Sequence, residues 1–575
     1  MKRYKLAIAA VSAAMLIGFS GCKTAQTAST EVETITITAA AATAVENAAS
    51  AASTSYTERD LAGTYDESEA VYVDLSDLDG DYTITESGVY VFSGTLKDGM
   101  ILVDAGEDDK VQIVLDGASV TNSDGPAIYA VEADKVFITA AEGTQNSLSD
   151  GNSYADDSFG NTPDGCIFSK CDLTINGSGT LTIDGNYKFG IVGKDDVVIA
   201  DVTLSVTAES DGISGKDSVS ISSGTITIIA GGDGISSVND DDAEKGAVQI
   251  DGGTIVIKSG GSSADSQKGI KAQYSVTING GNITIDAEDD AVHSGEVLTV
   301  TGGTLTLATG DDGMHCDNAL VISGGEITVT ESYEGIEAGT ITVSGGTIDV
   351  TASDDGFNAA GGSDDSASGN DRWGADSFAS DSSKQIIISG GTIHVNASGD
   401  GLDSNGSLTV TGGYTYISGP TNSANGALDA SPATISGGVV IAAGSSGMAV
   451  TFDSSSDQCS LMYTYQSTQS AGTLITLTDE NGNVVASFAP DKEYQNVVVS
   501  SPEMTSGSTY TLYSGGTVSN GTLSGGTQVA SITLSGTSTT SGSGGMSSGS
   551  GFSDGFSDRQ SPGGGGQMPG GGRRG

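Results

Sequence analysis

The residues with most chemistry to offer recur as a set. In chain order they are Asp211-Gly212-Ile213-Ser214, Asp233-Gly234-Ile235-Ser236, Lys268-Gly269-Ile270-Lys271 and Asp289-Asp290-Ala291-Val292-His293. Next come Asp311-Asp312-Gly313-Met314-His315, Glu334-Gly335-Ile336-Glu337, Asp354-Asp355-Gly356-Phe357-Asn358, Asp400-Gly401-Leu402-Asp403 and Asn425-Gly426-Ala427-Leu428-Asp429. The residue after the glycine slot is always apolar and must point inward, so strand alternation sends the next one outward. The acid before the glycine would face the core in an extended strand. A buried, unpaired carboxylate is too costly, so a bend is expected there, with glycine allowing it.

If these sets stack, equivalent residues lie about 4.8 Å apart. Unit charges that close repel by roughly 1 kcal/mol in water and several-fold more near a protein surface. Some carboxyls must then keep their protons, or cations must fill the gaps. Oxygen ligands in irregular geometry suit Ca²⁺. The candidate ligands are Asp289, Asp290, Asp311, Asp312, Glu334, Glu337, Asp354, Asp355, Asn358, Asp400 and Asp403. His293 and His315 are too few for a transition-metal site and are candidate ligand contacts. The competing reading is turn chemistry, since Asp and Gly are favoured in turns on a solvated edge. It accounts for one acid per coil. It accounts poorly for the doubled Asp at 289, 311 and 354, or for a second acid at Glu337, Asp403 and Asp429.

The elements that must position these residues are short, β-branched and bounded by glycine. The slot recurs at Gly190, Gly212 and Gly234, intervals of 22, and again at Gly269, Ala291, Gly313 and Gly335. A second signature, Gly-Gly followed by β-branched residues, keeps step at Gly280-Gly281, Gly302-Gly303, Gly324-Gly325, Gly345-Gly346, Gly390-Gly391, Gly412-Gly413 and Gly437-Gly438. A period of about 22 with three short strands predicts an all-β, right-handed parallel β-helix, one coil per repeat, whose inward residues share one core. β-Propeller blades need about 40–45 residues. Two insertions, about 236–268 (with Asp240-Asp241-Asp242) and about 359–384, read as loops at coil corners. The second holds Arg372, Phe378 and the only tryptophan, Trp373. On a polar loop that ring suits a sugar-stacking platform or a plug on the coil surface.

The chain has 575 residues, with 74 Asp+Glu against 22 Lys+Arg and a net charge of −52. Such acidity excludes nucleic acid as a partner, because phosphate binding needs clustered Lys and Arg. Lys2, Arg3 and Lys5 precede an apolar run from Leu6 to Phe19 and then Ser20-Gly21-Cys22, which predicts a signal peptide over 1–21. The cysteine after Ser-Gly resembles a lipobox and implies lipidation of Cys22, secretion, and anchoring to the extracellular face of a bacterial membrane. An ordinary signal peptide that happens to hold a cysteine is the alternative.

Residues 23–60 read as a flexible tether and 61–443 as the β-helix. Residues 444–536 read as a small C-terminal β cap, and 537–575 as a disordered Gly/Ser-rich tail. Cys166 and Cys171 are close enough in sequence for a bridge. All four remaining cysteines, Cys316 and Cys459 included, read better as small buried hydrophobes.

The segments Asp109–Gly117 (DKVQIVLDG), Ser123–Ile128 (SDGPAI) and Ala133–Leu148 (ADKVFITAAEGTQNSL), with the DDG and SGGTI signatures, carry a resemblance. Over about 61–516 the chain resembles the secreted, calcium-binding parallel β-helix proteins of plant-fibre-degrading Clostridia, a carbohydrate-binding family. That resemblance implies a pectate-lyase-like fold that binds acidic plant polysaccharide, polygalacturonate (pectin) above all, with cellulose a second candidate, and without cleavage. Its calcium sites would fall on the Asp-Asp-Gly positions. A polyanionic glycan approaches a carboxylate stripe only with a cation between them.

Two other classes compete. A calcium-dependent pectate lyase would need a base for β-elimination, and Lys271 is the only base in the outward column position, with Lys268 nearby. A lysine beside that stripe reads better as a charge-neutralising partner. A structural surface adhesin fits the tether and the β-helix but leaves the doubled acids idle.

Overall fold

The strand Thr225–Ala230 shows the rule by which the chain folds. Ile226, Ile228 and Ala230 are buried while Thr225, Thr227 and Ile229 face out. A strand with one apolar face must stack on another, and it does so in parallel. Ile226 pairs with Ile255, then Ile283, Leu305, Ile327, Ile348 and Ile393 in successive coils. The computed structural model describes residues 56–155, 159–242, 245–261, 266–359 and 380–543. Across most of them three such parallel ladders wind into a β-helix around one continuous apolar core. One ladder runs through Val219, Val248, Val276, Leu298, Leu320, Ile341, Ile386 and Leu408. Another runs through Ile213, Ile235, Ile270, Val292, Met314, Ile336, Phe357, Leu402 and Leu428. Every residue named in the last row is buried, each contributing roughly 1.5–3 kcal/mol through its apolar area.

From Gly212 onward the backbone bends at each slot, yet the slot glycines do not adopt the left-handed conformation. They are required by proximity instead. A Cβ on Gly335 would lie 2.2 Å from a methyl of Val350 and 2.3 Å from the carbonyl oxygen of Gly356. Gly212, Gly269 and Gly356 face Ile228, Ile285 and Val395 in the same way. The coil that carries Ala291 in the slot has Leu307 in the row of those residues, flanked by Ile285 and Val329. Leucine lacks the β-branch that the extra methyl would strike. Left-handed geometry belongs to the second glycine of the Gly-Gly signature, with Gly281, Gly303 and Gly325 at φ 97°, 92° and 91°.

Three expected boundaries shift. The insertion placed at 236–268 contains two regular strands, Ala247–Ile250 and Thr254–Ser259, so the added residues sit at two corners on either side of them. The tether does not extend to residue 60. A short helix, Glu58–Ala62, starts on a capping box between Thr57 and Asp60. Asp60 is buried, 2.8 Å from Lys135 Nζ, and accepts the Thr174 hydroxyl at 2.5 Å. The tail expected from 537 begins with a strand, Ser538–Gly542, paired in parallel with Ser460–Gln469. Its short polar run Ser538-Thr539-Thr540-Ser541 suits an outer strand, and Thr539 is buried.

Tyr494–Ser500 pairs antiparallel with both Ala433–Gly444 and Ser460–Gln469, which covers the open end of the last coil. A separate sheet of Ile475–Thr478, Val484–Phe488, Thr509–Ser514 and Thr527–Thr533 packs a second core beside it. Cys166, Cys171, Cys316 and Cys459 are all buried and unbridged.

Candidate functional site

Register alone builds the site. Pairing carries the outward residue of each coil from Ser214 to Ser236, Lys271, His293, His315, Glu337, Asn358, Asp403 and Asp429. A second row, just before the glycine slots, runs alongside: Asp211, Asp233, Lys268, Asp290, Asp312, Glu334, Asp355 and Asp400. Five of its acids share a structural task. One carboxylate oxygen accepts the backbone N–H of the next coil, from Asp233 to Asp211 (3.1 Å), Lys268 to Asp233 (2.9 Å) and Asp312 to Asp290 (3.2 Å). Asp400 and Gly426 donate to Asp355 and Asp400 in the same manner. This backbone role accounts for Asp211, Asp233, Asp290, Asp355 and Asp400 without any ligand.

The column has an upstream part with lysine and histidine among its acids, where burial and neighbouring carboxylates still push Asp211 up to about 6 and Asp312 well up, and a downstream part that begins at Glu334. In the first, the Ser236 hydroxyl donates to Asp211 at 2.9 Å, and Lys271 Nζ lies 3.7 Å from Asp233. Lys268, itself buried, reaches Asp290 at 2.6 Å and Asp289 at 3.0 Å. His293 Nδ1 is 2.9 Å from Asp290. The ring of His315 stacks on that of His293 with centroids 5.0 Å apart. Its Nδ1 lies 2.9 Å from Asp312 and 3.2 Å from Glu337, and its Nε2 3.2 Å from Asp317. Burial alone would lower the His315 pKa, but those three carboxylates hold it well above the ordinary imidazole range. Burial alone would raise Asp290, but His293, Lys268 and His315 hold it well below the usual carboxylate value.

From Glu334 onward the balance fails. The place three residues after the acid, filled by histidine after Asp290 and Asp312, is held by Glu337, Asn358 and Asp403 after Glu334, Asp355 and Asp400. Among the described residues no Lys, Arg or His forms an ion pair with Glu334, Asp355 or Asp400. Burial, then Glu337, Asp312 and Asp355, pushes Glu334 well up. Burial, then Asp400, Asp354 and Asp403, pushes Asp355 up to about 9. Burial, then Asp429 and Asp354, pushes Asp400 up to about 7. Oxygens of Asp355, Asp400 and Asp403 lie within 4.8 Å of one another. Asn358 is buried and gives its Nδ2 to Glu334 at 2.8 Å, while its Oδ1 has no hydrogen-bond donor among the described residues. An oxygen cluster with an unmet acceptor nearby fits a hard metal ion.

Four other groups bring ligand atoms equally close: Asp290 with His293 and His315, Asp312 with His315 and Glu337, Asp289 with Asp290 and Asp311, and, off the column, Asp172 with Asp195 and Asp196. In the first three, histidine or Lys268 stands among the acids. Trp373 and Cys22 lie outside the described residues.

Comparison with known proteins gives the column its context. The family model described as carbohydrate-binding domain-containing protein matches residues 78–266 and 260–313. A relative of the same description from Acetivibrio thermocellus is 45% identical over 212 residues, 37% of this chain and 72% of its own length. The chain belongs to the carbohydrate-binding domain family. A solved structure titled a polysaccharide lyase-like protein from C. thermocellum, in a gadolinium derivative, is 32% identical. It covers 44% of this chain and 96% of its own, with a TM-score of 0.36.

The part of this carbohydrate-binding protein matched by the family model ends at residue 313, so it takes in the column from Asp211 to Asp312 and stops short of His315 and of Glu334–Asp429. It also contains a feature that sequence reasoning missed. Followed upstream, the outward row changes from Ser214 to Val192, Phe168, Tyr129 and Leu102. Tyr129, Phe168 and Val192 form an apolar cluster on the same face as the acids. The signal was present, because these residues follow the inward Ile191, Ile167, Ile128 and Ile101 as Ser214 follows Ile213. The Asp-Gly signature that draws the eye begins only at Asp211.

Proposed function

We propose that this protein binds acidic plant polysaccharide, polygalacturonate above all, through calcium held on the Glu334–Asp429 part of the column. Carbohydrate binding is the property of its family. The observation that carries the acidic, calcium-bridged reading is the oxygen cluster of Asp355, Asp400 and Asp403 beside the unmet Oδ1 of Asn358. Calcium bound there would offset the mutual repulsion of these carboxylates and would keep coordination positions for a uronate carboxylate. The residues of the chain do the rest. The backbone N–H groups that donate to Asp355 and Asp400 fix one oxygen of each, so the other is presented to the column. Lys271 is engaged by Asp233 at 3.7 Å and donates to Ser266 at 3.1 Å, which supports a binder over a lyase that needs this residue as its base. Lipidation at Cys22 would hold the binding face outside the cell.

Metal analysis of the dialysed protein, run beside retardation in a polygalacturonate gel, tests the reading. Bound calcium and retardation that EDTA abolishes are expected, and both should be lost in Asp355→Asn/Asp400→Asn. Retardation that survives EDTA would overturn calcium bridging. A sustained rise in unsaturated-uronide absorbance that vanishes in Lys271→Ala would overturn the binder.

A further inference from the structure

At the aromatic end of the outward row the surface is hollowed into a cavity of about 200 Å³. Met100, Leu102, Pro126 and Tyr129 form its apolar wall, and Tyr154 and Phe159 close it on the loop side. These rings are held in place. Tyr154 donates its hydroxyl to Asp150 at 2.6 Å and stacks on Tyr187 with centroids 4.4 Å apart. Tyr129 sits edge-on to both Phe168 (5.5 Å) and Phe159 (5.8 Å), and its oxygen accepts the Asn161 amide at 2.7 Å. Phe159 is nevertheless 41% exposed, an arrangement that leaves a large ring at the mouth of a fixed aromatic box.

The remaining lining decides what fits. Asp81 and Asp124 stand at the rim, and no lysine, arginine or histidine lines the cavity among the described residues. Two carboxylates and no cation repel a uronate, whereas sugar hydroxyls can donate to them. The C–H face of a pyranose presents weakly positive hydrogens to the negative face of an aromatic ring. The volume lies below the roughly 300–1,000 Å³ of sites for larger ligands, which fits one ring and not an oligosaccharide. The cavity also continues the column. Tyr129 occupies the row of Asn358, nine register steps of about 4.8 Å away, roughly 43 Å along the same face.

We propose that this cavity is a second carbohydrate subsite, selective for an uncharged pyranose unit and independent of calcium. It rests on the family's carbohydrate binding and not on the calcium-bridged reading.

Affinity electrophoresis of the full chain through a neutral β-glucan gel tests it, with polygalacturonate in a parallel gel. Retardation in the neutral gel is expected to persist in EDTA and to weaken on the order of tenfold in Phe159→Ala and in Tyr154→Ala, as loss of an aromatic contact implies. Both variants should keep their retardation by polygalacturonate, which also reports an intact fold. Asp355→Asn/Asp400→Asn should show the converse, so the two sites fail separately. Absence of neutral-gel retardation in the parent, or equal retardation of parent and Phe159→Ala, would overturn the subsite. Loss of neutral binding in EDTA would overturn its independence from calcium.

Discussion

Adding calcium at neutral pH should acidify the solution, by an amount the structure sets. Asp355 is pushed up to about 9 and Asp400 to about 7, first by burial and then by neighbouring carboxylates. At pH 7 the metal-free protein therefore holds a proton almost fully on Asp355 and about half the time on Asp400. A cation among Asp355, Asp400 and Asp403 requires the ionised forms, so binding should release roughly 1.5 protons per ion from these two groups. The sign for stability follows. Both groups bind protons more tightly folded than unfolded, so their contribution is complete below about pH 4. It is lost as pH rises through about 7 for Asp400 and about 9 for Asp355. Metal-free protein should thus weaken on alkalinisation, and calcium should restore stability most strongly at the alkaline end. Calorimetric titration in buffers of different ionisation enthalpy measures the release directly. Asp355→Asn should reduce it by about one proton at pH 7, and at pH 10 the parent should release almost none. Binding enthalpies at pH 7 that do not depend on the buffer would refute the assignment of calcium to these carboxylates.

Three further outcomes follow from the packing. Lys268→Met should remove the ammonium from buried Asp290, leaving it only its histidine neighbours, and cost on the order of 3 kcal/mol in denaturant unfolding, and Asp290→Asn in the same chain should recover part of that. Gly335→Ala should cost about 1–3 kcal/mol by overpacking against Val350; adding Val350→Leu, which recreates the Ala291/Leu307 combination, should return some of it. Asp60→Ala should release the Glu58–Ala62 helix and strand Lys135, read as faster proteolysis near Tyr56 with the β-helix core unchanged.

The β-helix was legible because its two signals reinforce each other. Interval and strand alternation together place Lys271, His293, His315, Glu337, Asn358, Asp403 and Asp429 in one row, and that row exists. The internal neutralisation was only half legible. Lys271 reads as a counter-charge from its slot, but Lys268 occupies an acid's place, and its burial against Asp289 and Asp290 depends on three-dimensional proximity. The role of the slot glycines was misread, since sequence suggests backbone freedom where the fold demands the absence of a methyl group. The Asp60 anchor escaped notice because its partners, Lys135 and Thr174, lie far along the chain. The aromatic cavity escaped because it is built from residues 81 to 163, upstream of the repeat that defines the register.

Whether calcium stands between this protein and an acidic glycan is tested most directly by the affinity for polygalacturonate measured across a range of free calcium. Reciprocal linkage predicts that affinity rises with calcium until the sites fill, and that Asp400→Asn shifts the rise to higher concentrations. An affinity that stays constant from calcium-free to saturating conditions would contradict the account.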